Sequence, residues 1–204
     1  MHYITKNFDF CYGHRVWTQQ LDAGLSCNQP CKCRHLHGHQ GQITIELGAN
    51  KLDSGMVTDF HHLNWFKQWL DDHFDHKMIM DVNDPFLRTM IEDLWPMYGC
   101  DPTVDDKTMQ PYWISDYCEG FTVDGFHYPN TKLMTSGRCE PATREFLEGL
   151  VLVEFVPTSE NLAEFFFKRV QHVLQAKKHV VNPTMFLQQI IFKETPKTSA
   201  TFSV

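Results

Sequence analysis

Two histidines separated by one glycine, His37-Gly38-His39, lead directly into Gln40-Gly41-Gln42-Ile43-Thr44-Ile45-Glu46-Leu47. No other run limits the fold as much. Its apolar and polar residues alternate, the pattern of a half-buried strand. Side chains two apart on a strand point to the same side, so both imidazoles share one face. Two histidines so placed are two thirds of a three-histidine zinc site, the type that keeps a fourth position open for chemistry. Gly38 between them leaves room for close approach. Cys33 stands four residues upstream, in the loop feeding the strand, where a nearby cation would lower a thiol's pKa.

Other elements frame this run. Residues 2–11 alternate around Ile4, Phe8 and Phe10 and predict a first strand, ending in Tyr12-Gly13-His14-Arg15 with a third histidine at its end. Asp59 is a helix cap candidate, and Phe60, Leu63, Phe66, Leu70 and Phe74 follow at helical spacing, predicting a helix over 60–73. Residues 150–156 predict another strand. Thr158 or Ser159 then caps a helix running to about residue 177, and residues 186–194 form a last strand before a polar tail. Between them, 82–149 has a different texture, rich in proline, glycine and acidic residues. Short helices are expected there at about 85–95 and 141–149, with a small hairpin around 120–134. The whole reads as a single α+β domain over 1–204: a four-stranded antiparallel sheet with two helices on one face, and a long insertion at 82–149.

Charge and cysteines narrow the function. A net charge of −7 excludes a chain whose whole surface binds nucleic acid, while leaving room for a local basic pocket. No apolar run is long enough to span a bilayer, and residues 1–6 lack the apolar core of a signal peptide, so the expectation is a cytoplasmic protein. Seven cysteines, with only Cys27, Cys31 and Cys33 clustered, fit metal binding or catalysis better than disulfides in that compartment.

In order along the chain, Phe10-Cys11-Tyr12-Gly13-His14-Arg15, Cys33-x3-His37-Gly38-His39, Gly55-Met56-Val57-Thr58-Asp59-Phe60, Asp75-His76, Pro157-Thr158-Ser159-Glu160-Asn161 and Lys193-Glu194-Thr195 resemble the 6-pyruvoyl-tetrahydropterin synthase / 6-carboxytetrahydropterin synthase family. The resemblance covers about 1–81 and 150–196. It implies the tunnelling fold, with His14, His37 and His39 as ligands of a Zn2+ ion. It further implies Cys33 as catalytic thiol, Asp75 and His76 as acid–base partners, and Glu194 as the carboxylate that anchors a pterin. The implied assembly is a homohexamer of two stacked trimers, acting on a small pterin and neither on nucleic acid nor at a membrane. The Cys33-x3-His37 spacing resembles the carboxy-forming branch, a carbon–carbon lyase that converts 7,8-dihydroneopterin triphosphate to 6-carboxytetrahydropterin, acetaldehyde and triphosphate, a precursor of queuosine and other 7-deazaguanines. Cys31 has the longer spacing of the pyruvoyl-forming branch, so that product stays open, as do a non-catalytic pterin-binding module and a three-histidine zinc hydrolase. On an extended approach to the strand, Cys31 and Cys33 face the same side, and two residues separate them by about 6–7 Å. The family usually carries small residues before His14, where this chain has Cys11-Tyr12-Gly13. Arg15, Lys32 and Arg34 are candidates to meet a triphosphate or to face water.

Overall fold

The computed structural model describes residues 1–87, 118–121, 126–129, 145, 148–177 and 182–204. The chain divides into two compact units, one of residues 1–13, 37–76 and 158–204, the other of 14–36 and 77–157. In chain order the strands are β1 (His2–His14), β2 (His37–Ala49), β3 (Lys77–Asp81), β4 (Cys118–Phe121), β5 (Phe126–Pro129), β6 (Leu150–Val153), β7 (Met185–Thr195) and β8 (Thr198–Ser203). Among the described residues the two longer helices are α1 (Asn64–His73) and α2 (Ser159–Ala176), and short 3-10 turns cover Lys32–Arg34 and Phe60–Leu63.

The first unit orders its strands β1-β2-β7-β8. β2 pairs antiparallel with β7 (Ile43 opposite Phe192, Ile45 opposite Ile190), and β7 pairs antiparallel with β8. Thr44 Oγ1 donates to Asn7 Oδ1 and Gln42 Nε2 to Asp9 Oδ1, both at 2.8 Å. One number falls as the other rises, so β1 and β2 also run antiparallel. Alternation sorts the faces. Phe8, Phe10 and Tyr12 of β1, Ile43, Ile45 and Leu47 of β2, and Ile190 and Phe192 of β7 are all buried. Both helices close over this side: Phe8 meets Phe66 of α1 at 5.1 Å between ring centroids, and Phe166 of α2 meets Phe10 at 6.2 Å and Phe192 at 6.0 Å. Each buried phenylalanine contributes about 1.5–3 kcal/mol by leaving water, so these rings fix which side faces the helices.

The helix starts follow the expected capping. The Asp59 carboxylate accepts from the His61 N–H and imidazole, which together hold its pKa below the usual range. The turn it opens is 3-10 as far as Leu63 and becomes α-helical at Asn64, so the predicted 60–73 helix has two parts. Thr158 Oγ1 accepts from Asn161 N–H at 3.3 Å and starts α2.

The second unit orders its strands β4-β5-β6-β3. Here β3 and β6 are parallel, with Met78 opposite Leu150 and Asp81 opposite Val153, while β5 pairs antiparallel with both β4 and β6. The sheet pairing is therefore mixed, with eight described strands, and not the four antiparallel strands expected. Two local causes account for the difference. β3 is the contiguous apolar run Met78-Ile79-Met80, typical of a parallel strand covered on both faces and lacking the alternation that marks a half-buried one. β8 lies in the tail read as polar, and places only Ala200 and Phe202 inward, Phe202 meeting Phe167 at 5.1 Å. The expected 150–156 strand ends at Val153 and belongs to the second unit. The hairpin expected near 120–134 corresponds to β4 and β5. Of the helices expected at 85–95 and 141–149, only 85–87, Glu145 and residues 148–149 are described; 85–87, Glu145 and Glu148 are helical, and the rest lies outside the described residues. Among the described residues no helix is long and apolar enough to cross a membrane.

Candidate metal centre

The inward stripes of three strands change character at one end. On β1 the sequence Phe8, Phe10, Tyr12 continues to His14; on β2 Ile45, Ile43, Gly41 continues to His39 and His37; on β7 Ile190, Phe192 continues to Glu194. The same period-two rule that buries the apolar residues thus gathers the polar ones. His14, His37, His39 and Glu194 each bring one potential ligand atom within 4.8 Å of the others. The rings of His37 and His39 stand 4.9 Å apart, and His39 Nε2 lies 3.5 Å from Glu194 Oε1. Gly38 lets the strands come close: a Cβ there would sit 3.1 Å from the Tyr12 carbonyl oxygen, a tight contact.

His14 is fully buried, and its Nδ1 lies 2.6 Å from the Pro157 carbonyl oxygen. A carbonyl only accepts, so Nδ1 carries the proton and Nε2 keeps its lone pair, the arrangement by which proteins orient a metal-binding histidine. Imidazoles plus one carboxylate, with a ring tautomer fixed in this way, suit a divalent metal ion. The sequence expectation kept Glu194 apart as a substrate anchor; the structure brings it to the three histidines.

Tyr12 escaped the sequence reading as a neighbour of this group. Its ring stacks on Phe10 at 5.0 Å and lies 5.8 Å from the His39 ring. Burial first, and then the negative charge of Glu194, push its phenol well above the ordinary tyrosine pKa, so it stays protonated. The available signal was the bulky residue two before His14, with the small Gly41 on the next strand leaving space for its ring: a Cβ on Gly41 would meet the Tyr12 ring at 2.8 Å.

Asp75 and His76 follow α1. His76 has a positive φ of 58°, which turns the chain out of the helix, and its N–H donates to the Cys11 carbonyl at 2.6 Å. Asp75 Oδ1 accepts from Cys11 N–H at 2.7 Å, and Oδ2 lies 2.9 Å from His76 Nδ1. Partial burial raises the Asp75 carboxyl, but the Cys11 N–H, the His76 contact and the Lys67 charge outweigh it and leave the pKa below the usual range. The pair is thus an ionised aspartate orienting an exposed histidine.

Cys33 sits half-buried in the 3-10 turn Lys32–Arg34, and its carbonyl accepts from Val16 N–H at 2.8 Å. The approach to β2 is a turn there, so the extended spacing expected between Cys31 and Cys33 does not apply. Cys31 Sγ donates to Gln19 Oε1 at 2.9 Å, while Cys27 is exposed with φ of 52°. Arg15 is engaged with Asp84 at 3.1 Å and Arg34 with the Gln19 carbonyl at 3.0 Å. A cavity of about 380 Å³ lies on the other side of the first unit's sheet, lined by Asp9, Gln40, Gln42, Lys193, Thr195 and Pro196, away from the histidines.

Known proteins resemble this chain in sequence and in fold. The chain is 37% identical over 102 residues to the 6-carboxy-5,6,7,8-tetrahydropterin synthase of Aquifex aeolicus, covering 47% of this chain and 62% of that protein. It is 36% identical over 91 residues to the protein of the same name from Rickettsia typhi, covering 44% and 59%. The match therefore spans about three fifths of the length of these curated relatives. An uncharacterized protein from Wolinella succinogenes superimposes with a TM-score of 0.78 at 35% identity, over 99% of this chain and 97% of that one. A 6-pyruvoyltetrahydropterin synthase from Plasmodium vivax shares the fold at 15% identity with a TM-score of 0.51, over the full length of both chains. The model of the family described as 6-pyruvoyl tetrahydropterin synthase matches residues 3–204, and the chain belongs to that family.

Proposed function

We propose that the protein is a zinc-dependent 6-carboxy-5,6,7,8-tetrahydropterin synthase, converting 7,8-dihydroneopterin triphosphate and one water to 6-carboxytetrahydropterin, acetaldehyde and triphosphate, a step toward 7-deazaguanines such as queuosine. The observation that carries this reading is the grouping of His14, His37, His39 and Glu194 at the end of three inward stripes. It is supported by the names of the relatives from Aquifex aeolicus and Rickettsia typhi.

In this mechanism His14, His37 and His39 hold the ion through neutral nitrogens. A bound Zn2+ supplies Lewis acidity toward the substrate's side-chain oxygens. Glu194 accepts hydrogen bonds from the pterin's amino and ring N–H groups. The Cys33 thiolate moves protons at the side-chain carbons, since the reacting group must come within about 3 Å or act through one water. Asp75, ionised and bonded to the Cys11 N–H, holds His76 through Nδ1 and leaves Nε2 to relay a proton. The active form is a homohexamer of two trimers in the cytoplasm. The 82–149 insertion is a cap or subunit contact within one synthase domain, with no catalytic group.

A second reading, 6-pyruvoyl-tetrahydropterin formation by triphosphate elimination, follows from the longer Cys31 spacing. Incubation with 7,8-dihydroneopterin triphosphate and identification of products by mass spectrometry separates the two. Cys33→Ala should abolish carbon–carbon cleavage while keeping zinc and pterin binding, and Cys31→Ala should retain most turnover. The reverse pattern favours the pyruvoyl reading, and normal turnover in both single variants and the double variant removes thiol catalysis.

A further inference from the structure

Four consecutive residues at the end of β1 and just beyond it are each tied down by a different contact. His14 Nδ1 donates to the Pro157 carbonyl at 2.6 Å. Arg15 Nε lies 3.1 Å from Asp84 Oδ2. Val16 N–H donates to the Cys33 carbonyl at 2.8 Å. Trp17 Nε1–H donates to Asp81 Oδ2 at 3.0 Å. Two of the four tethers end on aspartates at the close of β3, and these are among the few buried charged groups described: Asp81 is 3% exposed and the Asp84 side chain 0%.

Both carboxylates have further partners. Asp81 Oδ1 accepts from the Asn83 backbone N–H at 2.9 Å and from its Nδ2 at 3.1 Å, and Asp84 Oδ1 accepts from Phe86 N–H at 2.9 Å. The Arg15 guanidinium lies 5.3 Å above the Phe86 ring. Built this way, the pair withstands burial, yet a buried ion pair adds little stability over apolar residues of the same shape. Stability alone is a poor reason for such a construction. What it does accomplish is geometric. The run 14–17 carries a metal ligand at its first residue, and its third residue bonds the turn that holds Cys33.

We propose that Asp81 and Asp84 are positioning residues: through Trp17 and Arg15 they hold the 14–17 run so that His14 is presented to the metal and the Cys33 turn is fixed beside it. The proposal rests on the metal and thiol roles of the proposed function. Zinc accepts nitrogen at about 2.0–2.1 Å with a tolerance near 0.2 Å, so a strand end free to shift by a few tenths of an ångström loses affinity. Removing a partner that orients a ligand costs about 10–100-fold in metal affinity.

The test uses the full chain and three variants. Trp17→Phe deletes one hydrogen bond and keeps the ring. Asp84→Asn keeps the shape and removes the charge. Val170→Ala, a buried change in α2, serves as a control that lowers stability without touching the tethers. Zn2+ affinity is measured against a chromophoric chelator, ligand geometry from the visible absorption of the Co2+-loaded protein, and the Cys33 turn from the rate of its alkylation by iodoacetamide. Trp17→Phe and Asp84→Asn should bind Zn2+ about 10–100-fold more weakly, with altered Co2+ bands and an altered alkylation rate, while Val170→Ala changes only the melting temperature. Wild-type affinity and spectrum in Trp17→Phe and Asp84→Asn, with only a lower melting temperature, would overturn the proposal. Should Asp84→Asn not fold, Trp17→Phe decides alone. A wild-type chain that binds no metal refutes the proposed function instead; the alkylation rate in Trp17→Phe, which needs no metal, then upholds the anchoring if changed and overturns it if not.

Discussion

Gly41 to Ala is a one-carbon change whose cost can be worked from the structure. The added Cβ would stand 2.8 Å from Tyr12 Cε1, 3.1 Å from Phe10 Cε1 and 3.3 Å from Tyr12 Cδ1. Neither ring can retreat: Tyr12 and Phe10 are 4% and 3% exposed, stacked on one another, and backed by Phe192 at 5.7 and 6.2 Å. Forcing an extra carbon into such packing costs about 1–3 kcal/mol. Alanine returns about 0.5–1 kcal/mol, because it loses less backbone freedom than glycine on entering a strand. The net is a destabilisation of up to about 2.5 kcal/mol, or up to about 10 °C of melting temperature for a chain of this size. Thermal unfolding followed by far-ultraviolet circular dichroism reads it. The sharper measurement is the same change in a Tyr12→Ala background, where the ring is gone and the methyl enters a cavity. There Gly41→Ala should be neutral or stabilising, a reversal of sign that a double-mutant cycle isolates. Equal cost in both backgrounds would refute the steric argument.

His39→Ala should lower bound metal from one ion per chain to well below that while leaving the far-ultraviolet spectrum unchanged; elemental analysis of the purified protein checks it, and full occupancy would mean that the ligand set is wrong. Asp75, with its folded pKa held down, contributes stability that is present above its unfolded value of about 3.9 and lost as pH falls through the folded value. The stability gap between wild type and Asp75→Asn should therefore be constant near neutrality and close below about pH 4; denaturant titrations at several pH values show whether it does. Thr158→Ala removes the cap of α2 and should cost about 1 kcal/mol. An unchanged denaturation midpoint would mean that the Asn161 N–H finds another acceptor.

Short-range periodicity made much of this readable. The alternation of β1 and β2, the caps at Asp59 and Thr158, and the same-face pair His37 and His39 follow from neighbours within a few residues, whereas grouping His14 with that pair rested on the family resemblance. What escaped depends on distant pairing or on weak pattern. Met78-Ile79-Met80 has no alternation, so β3 was invisible as a strand, and β8 has too few apolar residues to stand out from a polar tail. Glu194 joins the histidines only because β7 pairs with β2 in the register that sets Phe192 opposite Ile43, which no local signal encodes. Arg15 looked like a candidate for an anionic substrate because its partner Asp84 is 69 residues away in the sequence. The turn at Lys32–Arg34 departs from the extended chain expected there, since three polar and sulfur-bearing residues carry no helical stripe.

The inward stripe of β1 also limits what the strand can survive. Phe8, Phe10, Tyr12 and His14 share one side only while the count between them stays even. Inserting or deleting a single residue after Phe10 would leave the aromatic core half intact and swing His14 to the opposite side. Length in this strand is thus constrained far more tightly than composition: Tyr12 can be exchanged for another side chain at a graded cost, whereas a one-residue insertion is all or nothing for the side on which His14 stands. Under the proposed ligand set, metal uptake doubles as a readout of strand register, reporting a slip that a secondary-structure signal would pass over.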